Sequence, residues 1–190
     1  MIWLALGLAL FLGIHLTRAL APRWRDAQIA RLGEKGWKGL HTLLSLAGFG
    51  LIVWGYSQAR LDPVVLWAPI RGMNHLAALL VLIAMIFMAA AYVPRNHIKA
   101  RLKHPMTLSV KVWALAHLLA NNTLADMMLF GSFLVWSVLV FRAARRRPAP
   151  ALAAPTAGGT AATVVVGIAL WAFFAFWAHA AWFGIAPLGR

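Results

Sequence analysis

Seven histidines are the side chains of this chain best suited to metal or redox chemistry. Cysteine is absent, which removes disulfides, thiolate-held iron–sulfur clusters, a cysteine nucleophile and the C-x-x-C-H attachment of covalent haem. The four acids, Asp26, Glu34, Asp62 and Asp126, stand far apart and outside the apolar runs or at their ends. They form no paired-carboxylate acid/base site, no carboxylate metal cage and no mid-membrane proton relay. No glycine-rich phosphate loop or Ser/His/Asp set is present. Zinc would need three or four converging ligands without a carboxylate or thiolate. Two histidines facing one gap from different helices would instead bind a haem iron axially, and without an attachment motif that haem is non-covalent b-type.

The elements that must carry these histidines are membrane helices. Of 190 residues 63% are apolar and 12% charged, with a mean hydropathy of +0.77, against about half and a quarter in a soluble domain. Crossing the ~30 Å hydrocarbon layer takes ~20 helical residues. Six stretches approach that length, at about 2–20, 40–57, 73–93, 107–121, 127–141 and 162–183. The expected fold is all-α, a polytopic transmembrane helix bundle of about six spans. The fourth run is the shortest, its ~15 residues covering ~22 Å. Residues 1–142 form the bundle of spans one to five and hold the haem site. Residues 143–160, rich in Arg, Pro, Ala and Gly, read as a disordered linker, and 161–190 form the sixth transmembrane helix. Ala19-Leu20-Ala21 resembles a signal-peptide cleavage site, but no positive charge precedes the first run and Arg18 follows it, so the helix is expected to be retained.

A net charge of +14 would suggest nucleic acid in a soluble chain, but here the cations cluster between apolar runs. Fifteen of the eighteen Lys and Arg residues fall in alternate loops. By the positive-inside rule those loops are cytoplasmic and both termini lie on the other face. The partner this composition demands is the lipid bilayer, not nucleic acid.

Using the interface-seeking cations as rulers, His15 stands one turn from Arg18, His41 one turn from Lys38, and His117 six residues beyond Lys111. All three are expected in the cytoplasmic half, with Arg18, Lys38 and Lys111 available to haem propionates. His75 and His179 belong to the opposite half, and His97 and His104 to the loop between spans three and four. A plainer reading gives each imidazole only a hydrogen bond to a neighbouring helix. Gly48 and Gly55, seven apart, would let another helix or a planar cofactor come close.

Lys103-His104-Pro105-Met106, followed by Lys111-Val112-Trp113-Ala114-Leu115-Ala116-His117-Leu118-Leu119-Ala120-Asn121, resembles the signature of the NnrU family. Arg31-Leu32-Gly33-Glu34-Lys35-Gly36-Trp37-Lys38-Gly39-Leu40-His41 resembles that family's first cytoplasmic loop. The likeness covers nearly all of the chain outside the linker and the last span. It implies a multi-pass protein of the bacterial inner membrane, with periplasmic termini, linked to nitric oxide and nitrite metabolism and hence to denitrification. It also implies similarity to the 15-cis-ζ-carotene isomerases, which are haem b enzymes. Their axial histidines match His15 and His117, leaving His41 a neighbouring or alternate ligand. Where the isomerase has a cysteine that exchanges with the second histidine, this chain has Ala114, so the ligand exchange cannot be copied.

The leading expectation is a haem-binding membrane protein, acting as isomerase, redox protein or sensor on a lipophilic small molecule or a diatomic gas. Two other classes stand beside it: a small transporter, weakened by the lack of intramembrane charge, and an accessory or assembly subunit without haem.

Overall fold

The computed structural model describes residues 1–148 and 152–189. Its helices are α1 (Ile2–Leu20), α2 (Pro22–Ala59), α3 (Met73–Tyr92), α4 (His97–Leu102), α5 (Pro105–Ala120), α6 (Leu124–Arg145), α7 (Ala157–Phe173) and α8 (His179–Phe183). A π-helical turn, Phe174–Ala178, joins the last two into one apolar run, Ala157–Phe183. Among the described residues the sole β feature is one bridge, Val65 to Thr123. The chain is thus an all-helical membrane bundle. Five helices are long and apolar enough to cross a bilayer. The remaining run, α5, the fourth in chain order, has 16 residues, about 24 Å at 1.5 Å per residue.

The helices pack in the order α2, α1, α6, α5, α3, α7. Fifteen cations gather at one end of this row, here the basic end, where α1, α3 and α6 finish and α2, α5 and α7 begin. At the opposite end the loop after α2 is pinned to the α5–α6 connection. Leu66 N–H donates to Asn122 O at 2.8 Å and Leu124 N–H to Val64 O at 2.9 Å. Arg60 there donates to Phe183 O at 2.9 Å.

The α1–α2 seam is built on missing side chains. A Cβ added to Gly48 would lie 2.7 Å from Phe11 N, one on Gly7 would lie 2.6 Å from Ile52 N, and one on Gly55 would collide with Leu4 N. These glycines therefore seat α1, backbone against backbone, and leave no room for a planar cofactor. Leu4, Leu8, Leu12, Ile52 and Ala125 form the buried core beside this seam.

Residues 22–39, which their charge suggests are a loop, lie within α2. Pro22 opens α2, and Gly33, at φ 71° and ψ 165°, a conformation open almost only to glycine, breaks it. Trp24 then meets Trp37 with ring centroids 5.9 Å apart. A straight helix would separate these residues by about 20 Å, so the segment before Gly33 folds back on the one after it. Of the stretch 143–160 expected to form a linker, Ala143–Arg145 finish α6 and Ala157–Thr160 begin α7, while 149–151 lie outside the described residues.

Candidate functional site

His15 on α1 and His117 on α5 use the same local device. The Nδ1 of His15 lies 2.6 Å from Phe11 O, and that of His117 lies 2.8 Å from Trp113 O, each the carbonyl four residues back in its own helix. A carbonyl only accepts, so Nδ1 carries the proton, and it is Nε2 that holds the lone pair whenever the ring is neutral. That is the tautomer a metal ligand needs, held by a backbone acceptor. The other histidines with a hydrogen bond at Nδ1 lack such a carbonyl within their own helix, although His179, on a carbonyl beyond the end of α8, carries the same tautomer. His41 lies 3.4 Å from Ser45 Oγ, His97 lies 2.8 Å from Thr160 Oγ1, and His179 bonds Ile185 O at 2.8 Å.

The two acceptor residues converge on one ring of α6. Phe11 and Trp113 approach Phe133 with centroids 6.0 and 5.6 Å away. From that layer the histidines diverge. The His15 ring lies 6.5 Å from Trp136, while His117 stacks on Phe130 at 4.5 Å and 26°. Phe130 and Trp136 are six residues apart, about 9 Å along α6. His15 and His117 therefore stand on opposite sides of the Phe133 layer, His117 toward the non-basic end.

The expectation of a shared depth for His15, His41 and His117 is corrected here. Lys111 is already well inside α5, which starts at Pro105, and its ammonium turns back to lie 4.4 Å from the Phe141 ring centre. A long flexible cation is a poor ruler, because it reaches the interface from inside the layer. His41 keeps the expected position, its ring meeting that of His15 edge-on at 4.8 Å. Among the proposed propionate partners, Arg18 is exposed at the His15 end and its carbonyl receives Arg147 at 2.5 Å. Lys38 pairs with Glu34 at 3.4 Å on the exposed surface, and Lys111 is held against α6.

Two residues stand out only in three dimensions. The Trp136 indole Nε1 is buried without an acceptor, beside His15. Asp126, read as a span-end acid, is 5% exposed and takes hydrogen bonds from Tyr56 OH and Thr123 OH, both at 2.5 Å. Together with the Thr123 backbone N–H it completes a capping box at the start of α6 and ties that start to the end of α2. The spacing Thr123-x-x-Asp126 was the available signal; the Tyr56 contact spans 70 residues and had none.

These features define a polytopic helical membrane protein whose interior carries oriented imidazoles among aromatic rings. Residues 3–187 match the family model described as NnrU protein, and the chain belongs to that family. The match runs through the 143–160 stretch and the last span, which the motif resemblance leaves out. No curated protein and no solved structure matches the chain.

Proposed function

We propose that this NnrU-family protein binds a non-covalent b-type haem through His15 and His117. The observation that carries the reading is the Nδ1–H bond that both rings make to the carbonyl four residues back in their own helix, which leaves a lone pair on Nε2 of each. Joint ligation of one iron requires the Phe133 layer between the two rings to part, and two further features favour a planar group there. Aromatic and aliphatic walls surround both imidazoles, and the buried, unpartnered Trp136 N–H is a donor in need of an acceptor, which a cofactor or its ligand would offer. Arg18 and Lys38, at the His15 end, would meet the propionates, while the Lys111 ammonium rests on the Phe141 ring. Bound there, haem would supply an iron able to exchange electrons and to take up a diatomic gas such as nitric oxide. The chain's own part is to fix each imidazole tautomer, exclude water and admit lipophilic molecules from the bilayer. Ala114 is fully buried on α5, and its methyl group offers no replacement ligand.

The reading assigns the basic end to the cytoplasm and the termini to the periplasm, because fifteen of eighteen cations share that end. Full-length protein, expressed under haem-replete conditions and purified in detergent, should show a Soret band and release its pigment to acid acetone. A colourless preparation, or pigment that stays with the polypeptide, would overturn the cofactor. A cytoplasmic signal from a C-terminal reporter fusion would overturn the orientation.

A further inference from the structure

The Lys103-His104-Pro105-Met106 motif has no part in the site above, yet it borders a cavity of its own. Where α3 ends, α4 turns and α5 begins, a cavity of about 260 Å³ is lined by Tyr92, Lys99, Lys103, His104, Met106 and Thr107, among others. Asn96 builds the turn. Its side chain, 2% exposed, accepts from Lys99 N–H at 2.6 Å and donates to Val93 O and Ala90 O at 2.6 and 3.0 Å. The Lys99 ammonium donates to Ala91 O at 2.7 Å, which holds it beside the end of α3 with further protons to give. Lys103 takes φ 63° and ψ −41°, outside the conformations a side-chain-bearing residue prefers. Strain of this kind costs on the order of 1–3 kcal/mol and clusters at ligand clamps.

Among the described residues no carboxylate pairs with the charges here. No acid occurs between Asp62 and Asp126, a stretch that carries Arg95, Lys99, Arg101, Lys103 and Lys111. The two acids near the basic end, Asp26 and Glu34, pair with Arg25 and Lys38. Burial, and then the charges of Arg145 and Lys103, hold His104 below its ordinary pKa. The neutral ring thus adds a hydrogen-bonding group to the cavity and not another charge. On the flank of the bundle the wall continues into Tyr92, 74% exposed, and Met106, 44% exposed. An amphipathic ring and a thioether there suit the boundary between headgroup and acyl chain.

We propose that this cavity binds the headgroup phosphate of an anionic phospholipid, with Lys99 and Lys103 as its cationic contacts and Tyr92 and Met106 against the start of its acyl chains. A zwitterionic lipid would bring its own cation into a cluster that lacks an acid. Basic pockets between membrane helices select anionic headgroups, each Lys or Arg being worth about 1 kcal/mol, or roughly fivefold in affinity.

Native mass spectrometry of the full chain in a non-ionic detergent, titrated with phosphatidylglycerol or phosphatidylcholine, tests this. Wild type should retain phosphatidylglycerol at least about fivefold better. Lys103→Gly removes the amine while suiting the positive φ, so it should fold at least as well and lose most of that preference. Adding Lys99→Gln should abolish it, whereas Arg101→Gln, exposed on α4 outside the cavity, should leave it unchanged. Equal retention of the two lipids, or an unaltered preference in the double variant, would overturn the site. Displacement of the lipid by millimolar inorganic phosphate would overturn the lipid as its occupant, in favour of a free oxyanion.

Discussion

The α1–α2 seam and the α5–α6 seam bring helices together by opposite means. In the first, Gly55 and Gly48 face Leu4 and Phe11, and backbone meets backbone. In the second, Trp113, His117, Phe130 and Phe133 keep the helices a ring's width apart. The glycine seam excludes everything but the partner helix. The aromatic seam holds an imidazole within the stack. The glycine stripe also ends in chemistry, because its next position seven residues on is His41, whose ring meets His15. Both seams thus deliver an oriented imidazole, one where close packing stops and one within the stack.

The largest effect expected from breaking this comparison falls on the glycine seam. Gly48→Leu puts atoms where Phe11 backbone stands, whereas Gly50→Leu meets nothing within 4 Å. Overpacking typically costs about 1–3 kcal/mol, and more where backbone must move. Gly48→Leu should give aggregated or undetectable protein on size exclusion and Gly50→Leu a normal peak. Equal peaks would mean that α1 is not seated on Gly48.

The imidazoles that the two seams deliver should fail in function while the protein still folds. His15→Ala or His117→Ala removes a net hydrogen bond worth about 1 kcal/mol, so each variant should stay monodisperse but lose most of its haem. His75→Ala, exposed at the start of α3, should keep its spectrum. Wild-type spectra from both His15→Ala and His117→Ala would sink the ligand pair. Pigment loss with His41→Ala but not His15→Ala would move the first ligand to α2.

A loss of stability alone is expected where the two seams are tied together. Tyr56→Phe strips Asp126 of one of its buried donors, which should cost about 1–3 kcal/mol. Thermal unfolding in detergent should show it, with Asp126→Ala more severe because the α6 cap is lost as well. A wild-type midpoint for Tyr56→Phe would mean that water replaces the phenol.

Apolar length makes the spans legible in the sequence, and the missing Cβ atoms of Gly48 and Gly55 mark a close approach. What is not legible is the rotation of each helix about its axis. Lipid is as apolar as the bundle core, so a membrane helix carries little of the polar/apolar stripe that orients a soluble one. Phe130, Phe133 and Trp136 are equally apolar letters, and which meets His117 and which His15 is settled only by packing. The folded-back segment before Gly33 was hidden for another reason, its charge reading as a loop although Pro22 and Gly33 are a helix start and a break.

The finest distinction lies between the cations of the two seams. Lys38 forms an exposed pair with Glu34 at 3.4 Å, and such pairs contribute about 0.3–0.5 kcal/mol. Lys38→Gln should therefore leave the stability of haem-free protein nearly unchanged. If the propionates lie at the His15 end, the same substitution and Arg18→Gln should each speed haem transfer to a soluble acceptor severalfold, equivalent to about 1 kcal/mol. Lys111→Gln should not, since that ammonium already rests on the Phe141 ring. The reverse order, with Lys111→Gln the most damaging, would turn the cofactor's charged edge toward the α5–α6 seam and make His41 a neighbour of its apolar face.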